Sequence, residues 1–365
     1  MTAAYADTNQ ITLPSGRVFT DSAPFITSYS SGNGQSNLLY CIFRDLATDR
    51  IRVVRRDSST SVGTINGSVV RVENQSQGLD CMSKFSPAVT VFNNQIWIIY
   101  GGLNGNNIYA ASSNGSTFEN KSAILNAQTN DPPTASFISS VLYTIYKGQS
   151  SDQMYGSYYS EINGSWVWTG DHSIKKDHRS GTYPGRTAQA PSTYSNGSLC
   201  ILAYRGDTAP TSASGIYLGY SYNDVYSWYG DTQMTCHDQV SGTDFTPLTF
   251  RPVSGALVSN KSAYKVDIRG FVAYSSFGNS GIFIAYADAP DTVGKQLNSS
   301  NWKWQGAQED KVWSEVTINP SLYANDGLTT DVSPSAVSYG GNLYIFYKKK
   351  GTGSIYMAKL DAFNS

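Results

Sequence analysis

A proline and an aromatic residue recur along this chain at a fixed distance, and that spacing limits the fold more than any other feature. Pro87 to Tyr100, Pro133 to Tyr146, Pro191 to Tyr204 and Pro334 to Tyr347 are each 13 residues apart. Two longer copies, Pro24 to Phe43 and Pro252 to Tyr274, span 19 and 22. From the aromatic to the next apolar pair the step is 8 in five copies: Phe43 to Ile51, Tyr100 to Ile108, Tyr146 to Met154, Tyr274 to Ile282 and Tyr347 to Ile355. In the remaining copy, Tyr204 to Ile216, it is 12. Six copies in 365 residues give about 61 residues each. One such unit cannot bury its own apolar face, so the copies must stack on one another.

Within a unit the residues alternate apolar and polar, as in 86–118, with Asn-Asn, Asn-Gly and Gly-Asn steps between runs. That is strand and hairpin chemistry. No stretch shows a 3.6-residue period, so little helix is expected. The reading is an all-β chain folded as a six-bladed β-propeller, a single domain over 1–365. Its blades fall at about 24–80, 81–128, 129–182, 183–240, 241–325 and 326–365 plus 1–23. The last unit has three strands before the chain stops, so the segment 11–19 (ITLPSGRVF) is expected to supply its fourth and to close the ring. Fourth strands elsewhere are expected at 68–72, 116–118, 165–168, 226–230 and 301–306. An insertion at 307–333 could hold a seventh blade. The tryptophans of these outer strands, Trp166, Trp168, Trp228, Trp302 and Trp304, either pack blade on blade or offer a platform for sugar rings.

Composition excludes several classes. The net charge is −1 and neither sign runs in blocks, so the basic stripe of a nucleic-acid binder is absent. No apolar run is long enough to span a bilayer. The N-terminus has neither a basic start nor an apolar segment, which points to a cytoplasmic protein or one released by a non-classical route. Cys41 and Cys200 read as buried thiols; Cys81 and Cys236 lie in loops and could pair. No cysteine or histidine cluster has metal spacing, so neither a metal nor another cofactor is expected. Eight Asn-x-Ser sequons read as turns, and the Arg-Gly-Asp at 205–207 is too short to carry an adhesion claim.

Strand alternation places the loop entering each first strand and the loop joining second to third strand at one end of the ring. A chain poor in charge concentrates some of it there. Entering loops supply Asp21, Lys84, Asp131, Arg186, Arg251 and Asp331; Arg44, Lys147, Arg205, Asp207 and Lys348 begin the middle loops. These eleven residues are the candidate ligand-binding set. The bland reading is solvated loop charge. The functional reading is a surface for hydroxyl-rich ligands: carboxylates accept from hydroxyls, Arg and Lys donate, and aromatic rings cover apolar ring faces. No catalytic residue can be assigned. A glycosidase needs two acidic groups across one bond; Asp21, Asp131 and Asp331 sit at near-equivalent places before prolines and could converge on the axis.

The order of proline, apolar strand, Tyr-Lys/Arg-Gly, Ile-Tyr and a Ser/Asn/Gly turn before an aromatic resembles the repeats of sialidase-like propellers and of propeller lectins. Ser221, Asn223, Ser227 and Trp228 match the Asp-box turn of the sialidases, with Val225 where glycine belongs. The resemblance implies the propeller fold. The sialidase Arg-Ile-Pro start is missing, since Arg17 is followed by Val-Phe-Thr, and the arginine triad and Glu/Tyr pair cannot be assigned. Three functions stay open: a non-catalytic lectin that binds glycans or glycoconjugates, which is favoured; a glycoside hydrolase, sialidase-like or using an Asp pair; and a protein-interaction or toxin-associated propeller. Oligomeric state is open.

Overall fold

The computed structural model describes residues 5–10, 12–13, 16–17, 25–29, 38–56, 70–71, 73–74, 79–113, 118–176, 183–197, 199–206, 214–222, 228–238, 243–261, 266–275, 281–288, 313–317, 330–339, 342–351 and 355–361. Their regular secondary structure is all β-strand. Six sheets of four or more strands follow the repeat, each containing an antiparallel run of consecutive strands. The second sheet shows the pattern: Ala88–Phe92, Gln95–Gly101, Asn107–Ser113 and Phe118–Gln128. Its first hairpin turns on Asn93 and Asn94, both at positive φ (47° and 54°), as a tight two-residue hairpin turn requires.

The spacing counted in the sequence is the hairpin register. The residue after each closing aromatic faces the apolar residue that opens the third strand: Arg44↔Ile51, Gly101↔Ile108, Lys147↔Met154, Arg205↔Ile216, Ser275↔Ile282 and Lys348↔Ile355. These six openers are all buried. Buried residues of consecutive sheets interleave: Ile42 and Val53 with Ile96 and Ile98, Leu142 and Tyr146 with Trp97 and Ile99, and Ile145 with Leu202 and Tyr204. Each such aliphatic side chain contributes roughly 1.5–3 kcal/mol, which is why the unit repeats instead of standing alone.

The innermost strands are Phe25–Tyr29, Ala88–Phe92, Ser136–Ile138, Ser192–Ser195, Ser254–Lys261 and Ser335–Tyr339. Each neighbours the next in that order, and the last neighbours the first. A cavity of about 210 Å³ is lined by all six, with Thr27, Thr90, Ser136, Thr193, Ser254 and Ser338 giving one hydroxyl each. A second, smaller cavity is lined by Pro133, Pro191, Pro252 and Pro334.

Three sequence expectations need correction. The strand that pairs with Ile355–Asp361 is Tyr5–Gln10, not 11–19; Thr12–Leu13 and Gly16–Arg17 pair with each other. The sequence 11–19 carries Pro14, whose missing N–H cannot serve a continuous ladder. The fourth strand of the fifth sheet is Trp313–Thr317, which pairs with Ile282–Asp288, so this part of the 307–333 insertion belongs to the fifth sheet. Cys236–Asp238 joins its far side in parallel. Residues 301–306 lie outside the described residues. Cys81 and Cys236 are not paired: all four cysteines are free and buried. Burial pushes the Cys200 thiol up to about 12, which keeps it from forming the reactive thiolate.

Candidate functional site at the loop end

Hydrogen bonds place the entering and middle loops together. The backbone N–H groups of Ser83, Thr129 and Thr187 donate to the carbonyls of Asp49, Asn106 and Asp152 in the middle loop of the preceding sheet, at 2.9, 2.9 and 2.8 Å. Ser214↔Thr249 makes the same junction between the fourth and fifth sheets. The hydroxyls then bind the loop to its own sheet. Ser83 Oγ donates to Gly101 O, Thr187 Oγ1 to Arg205 O and Thr249 Oγ1 to Ser275 O, at 3.1, 2.9 and 2.9 Å. Each also bonds the backbone two residues on, as do Thr129 and Thr330. A buried Ser or Thr thus clasps one sheet to the next. The sequence signal is a Ser or Thr four residues before the proline, three in the fifth copy, and the reading from charge passed it over.

Above the clasps sits a repeated aromatic pair. Tyr100 stacks on Tyr109, Tyr146 on Tyr155 and Tyr204 on Tyr217, with ring centroids 5.6, 6.3 and 5.7 Å apart. The outer ring of each pair is half-buried. A Cβ on Gly102, Gly148 or Gly206 would meet that outer ring at 2.7, 2.7 or 2.8 Å, so the glycine of Tyr-x-Gly leaves space for the ring. In the first sheet Arg52 and Asp45 take these two places and form an ion pair at 3.1 Å.

The candidate charges among the described residues do not converge on one point. Arg44 is bonded to Asp49 of its own middle loop. Lys147 lies 3.5 Å from Asp131 and 3.3 Å from Asp152. Lys348 lies 2.6 Å from Asp331. Lys84 is exposed, 3.5 Å from Asn106 Oδ1 and 5.5 Å from the Phe85 ring centre. Arg186 and Arg251 are exposed. Arg205 is fully buried, and burial depresses its pKa. That removes it from the ligand surface and rules out the Arg-Gly-Asp as a displayed tripeptide. Asp21 and Asp207 lie outside the described residues. Glu315 sits within a strand, opposite Ala285. Asp131 and Asp331 are each held by the lysine of their own sheet.

The two lysine-bound aspartates differ. Burial pushes the Asp131 carboxyl above its ordinary range and Asp152 adds to this, against Lys147. Burial also acts to raise Asp331, but the bond and charge of Lys348 and the Gly351 amide outweigh it and hold the group below the ordinary range. Asp45 is likewise held low, by the Ala47 amide, Thr48 and Arg52 against burial. No group of three metal-ligating side chains occurs among the described residues. Among the described residues no helix is long and apolar enough to cross a membrane.

No family model and no curated protein matches the sequence. Solved structures do match in fold. An α-L-arabinofuranosidase from Fusarium graminearum, solved with an iminosugar inhibitor, aligns with TM-score 0.60 at 12% identity over 98% of this chain and 97% of its own. The Aleuria aurantia lectin bound to α-methyl-L-fucoside aligns with TM-score 0.55 at 14% identity over 96% and 95%. The Hadza microbial sialidase Hz136 aligns with TM-score 0.54 at 12% identity over 92% of this chain and 65% of its own. The chain therefore has a β-propeller fold of the kind that carbohydrate-active proteins use. At such identities the likeness speaks for architecture alone.

Proposed function

We propose that the six sheets are the blades of one closed ring spanning residues 1–365, and that the protein is a non-catalytic glycan-binding protein. The cyclic neighbour order of the inner strands and the pairing of Tyr5–Gln10 with the last sheet support the ring. The observation that carries the function is the repeated half-buried tyrosine at the loop end: Tyr109, Tyr155 and Tyr217, each over a glycine and beside an entering loop. A ring face flanked by amides, hydroxyls and paired charges suits a sugar. Repetition over blades suits several weak sites acting together. Of the candidate residues, Lys84, Asp131, Lys147, Arg186, Arg251, Asp331 and Lys348 remain available to line such sites, with Arg44 tied to Asp49.

A second reading rests on Asp131. A carboxyl held above its ordinary pKa beside a second carboxylate is the arrangement of a glycosidase acid and its partner, and the fold neighbours include hydrolases. One experiment separates the two: a glycan array run beside a fluorogenic glycoside panel on the same sample. The expected result is array binding without turnover, weakened by Tyr155→Ala and unchanged by Asp152→Asn. Turnover abolished by Asp131→Asn would replace the lectin with the hydrolase. Silence in both assays would overturn both and leave a protein partner.

A further inference from the structure

The tryptophans read in the sequence as either packing or platform are separated by the structure. Trp228 is 3% exposed and meets the edge of Tyr143. Trp168 is half-buried against the second sheet. Trp302 and Trp304 lie outside the described residues. Trp166 differs: it is 36% exposed, yet its ring is fixed on two sides. It stacks on Tyr159 at 5.3 Å and 29°, and meets Phe92 of the neighbouring sheet edge-on at 5.6 Å and 73°. A floppy exposed indole would have neither contact.

The hairpin register decides what lies beside it. Ile162↔Ser165 closes a two-residue turn at Asn163 and Gly164, both at positive φ. Glu161 is opposite Trp166, and Tyr159 is opposite Trp168. Directly opposite residues of an antiparallel pair share a face, and so do alternate residues of one strand. Tyr159, Glu161, Trp166 and Trp168 therefore stand on one face of the hairpin. Glu161 is exposed. The turn at Asn93 and Asn94, both exposed, follows Phe92 directly.

We infer that this face is a second sugar site, at the hairpin-turn end of the propeller and away from the loop end. The inference rests on the glycan-binding reading above. A pyranose ring would lay its C–H face on Trp166, and the Glu161 carboxylate would accept from its hydroxyls. The chemistry favours a sugar over a protein partner. One rigid indole rimmed by the Glu161 carboxylate and the asparagine amides of the two neighbouring turns is a polar setting, and a stable protein interface needs upwards of about 1,000 Å² of buried surface.

The test is titration of the full chain with a panel of methyl glycosides (galactoside, glucoside, mannoside, fucoside, arabinoside), followed by saturation-transfer NMR and tryptophan fluorescence. One of them is expected to bind, with affinity reduced ~10-fold or more by Trp166→Ala and by Glu161→Gln, while Trp166→Phe keeps most of it. Binding by wild type that neither Trp166→Ala nor Glu161→Gln weakens overturns this site and leaves the glycan-binding reading standing. A wild-type protein that binds no glycoside here and no glycan on the array overturns both. A change in sedimentation on Trp166→Ala without any change in sugar binding makes the face a contact between copies and also overturns the site.

Discussion

The third and sixth sheets put the same lysine at the same place and hold it differently. Lys147 follows Tyr146 and Lys348 follows Tyr347, and each faces the buried residue that opens its third strand. Each is bonded to an aspartate of its own entering loop. In the sixth sheet the aspartate is the residue after the clasp threonine, Thr330, and the bond is short and singular. In the third it is two residues after Thr129, the bond is longer, and Lys147 is shared with Asp152. One register step in a loop turns a tight ion pair into a lysine between two carboxylates. The repeat preserves backbone geometry and clasp, and leaves the chemistry of the charged tip free to vary.

If that is right, the clasps should matter equally in both sheets and the lysines should not. Thr129→Val and Thr330→Val remove a buried hydroxyl that bonds its own loop, and each should cost about 2 kcal/mol in urea unfolding monitored by tryptophan fluorescence. Unequal losses would break the comparison, because the loop frame itself would then differ. The lysines come next. Lys147→Met leaves half-buried Asp131 beside the exposed Asp152 carboxylate with no cation between them, whereas Lys348→Met leaves one carboxylate with the Gly351 amide. The expected losses are about 2 kcal/mol and about 1 kcal/mol. Equal losses would mean that Asp152, 55% exposed, is solvated enough to play no part.

The frame was legible in the sequence and the tip was not. Counting from Tyr100 to Ile108 fixes the pairing of Gly101 with Ile108, because a strand's side chains alternate and a slip of one residue would turn Ile108 outward. The fate of the charges was hidden, since whether Lys147 meets Asp131 depends on how a loop crosses space. Arg205 shows this most sharply: it has the sequence environment of Lys147 and Lys348 and is fully buried. The pairing of Tyr5–Gln10 with the last strand was missed for another reason. It joins residues some 350 positions apart, and YADTNQ carries no apolar alternation, whereas ITLPSGRVF looked like a strand despite Pro14.

The smallest effect is the most discriminating, because the two aspartates should respond to pH with opposite sign. Asp331 has a folded pKa below its unfolded value of about 4. Its ionised form is therefore favoured by folding. The stability it supplies is fully present above the unfolded pKa and is lost as pH falls through the folded one. Asp131 has a folded pKa above that value, so ionising it works against the folded state. The penalty is present at neutral pH and disappears as pH falls through the raised pKa to the unfolded one. Asp331→Asn should thus lower stability at pH 7 by about 0.5–1 kcal/mol and flatten the acid limb of a stability profile. Asp131→Asn should be neutral or slightly stabilising at pH 7 and lose that advantage near pH 4. Parallel thermal melts from pH 3 to 8 read both. Matching profiles for the two variants would mean that Lys147 holds Asp131 as firmly as Lys348 holds Asp331, and the distinction between the third and sixth sheets would reduce to a difference in loop length.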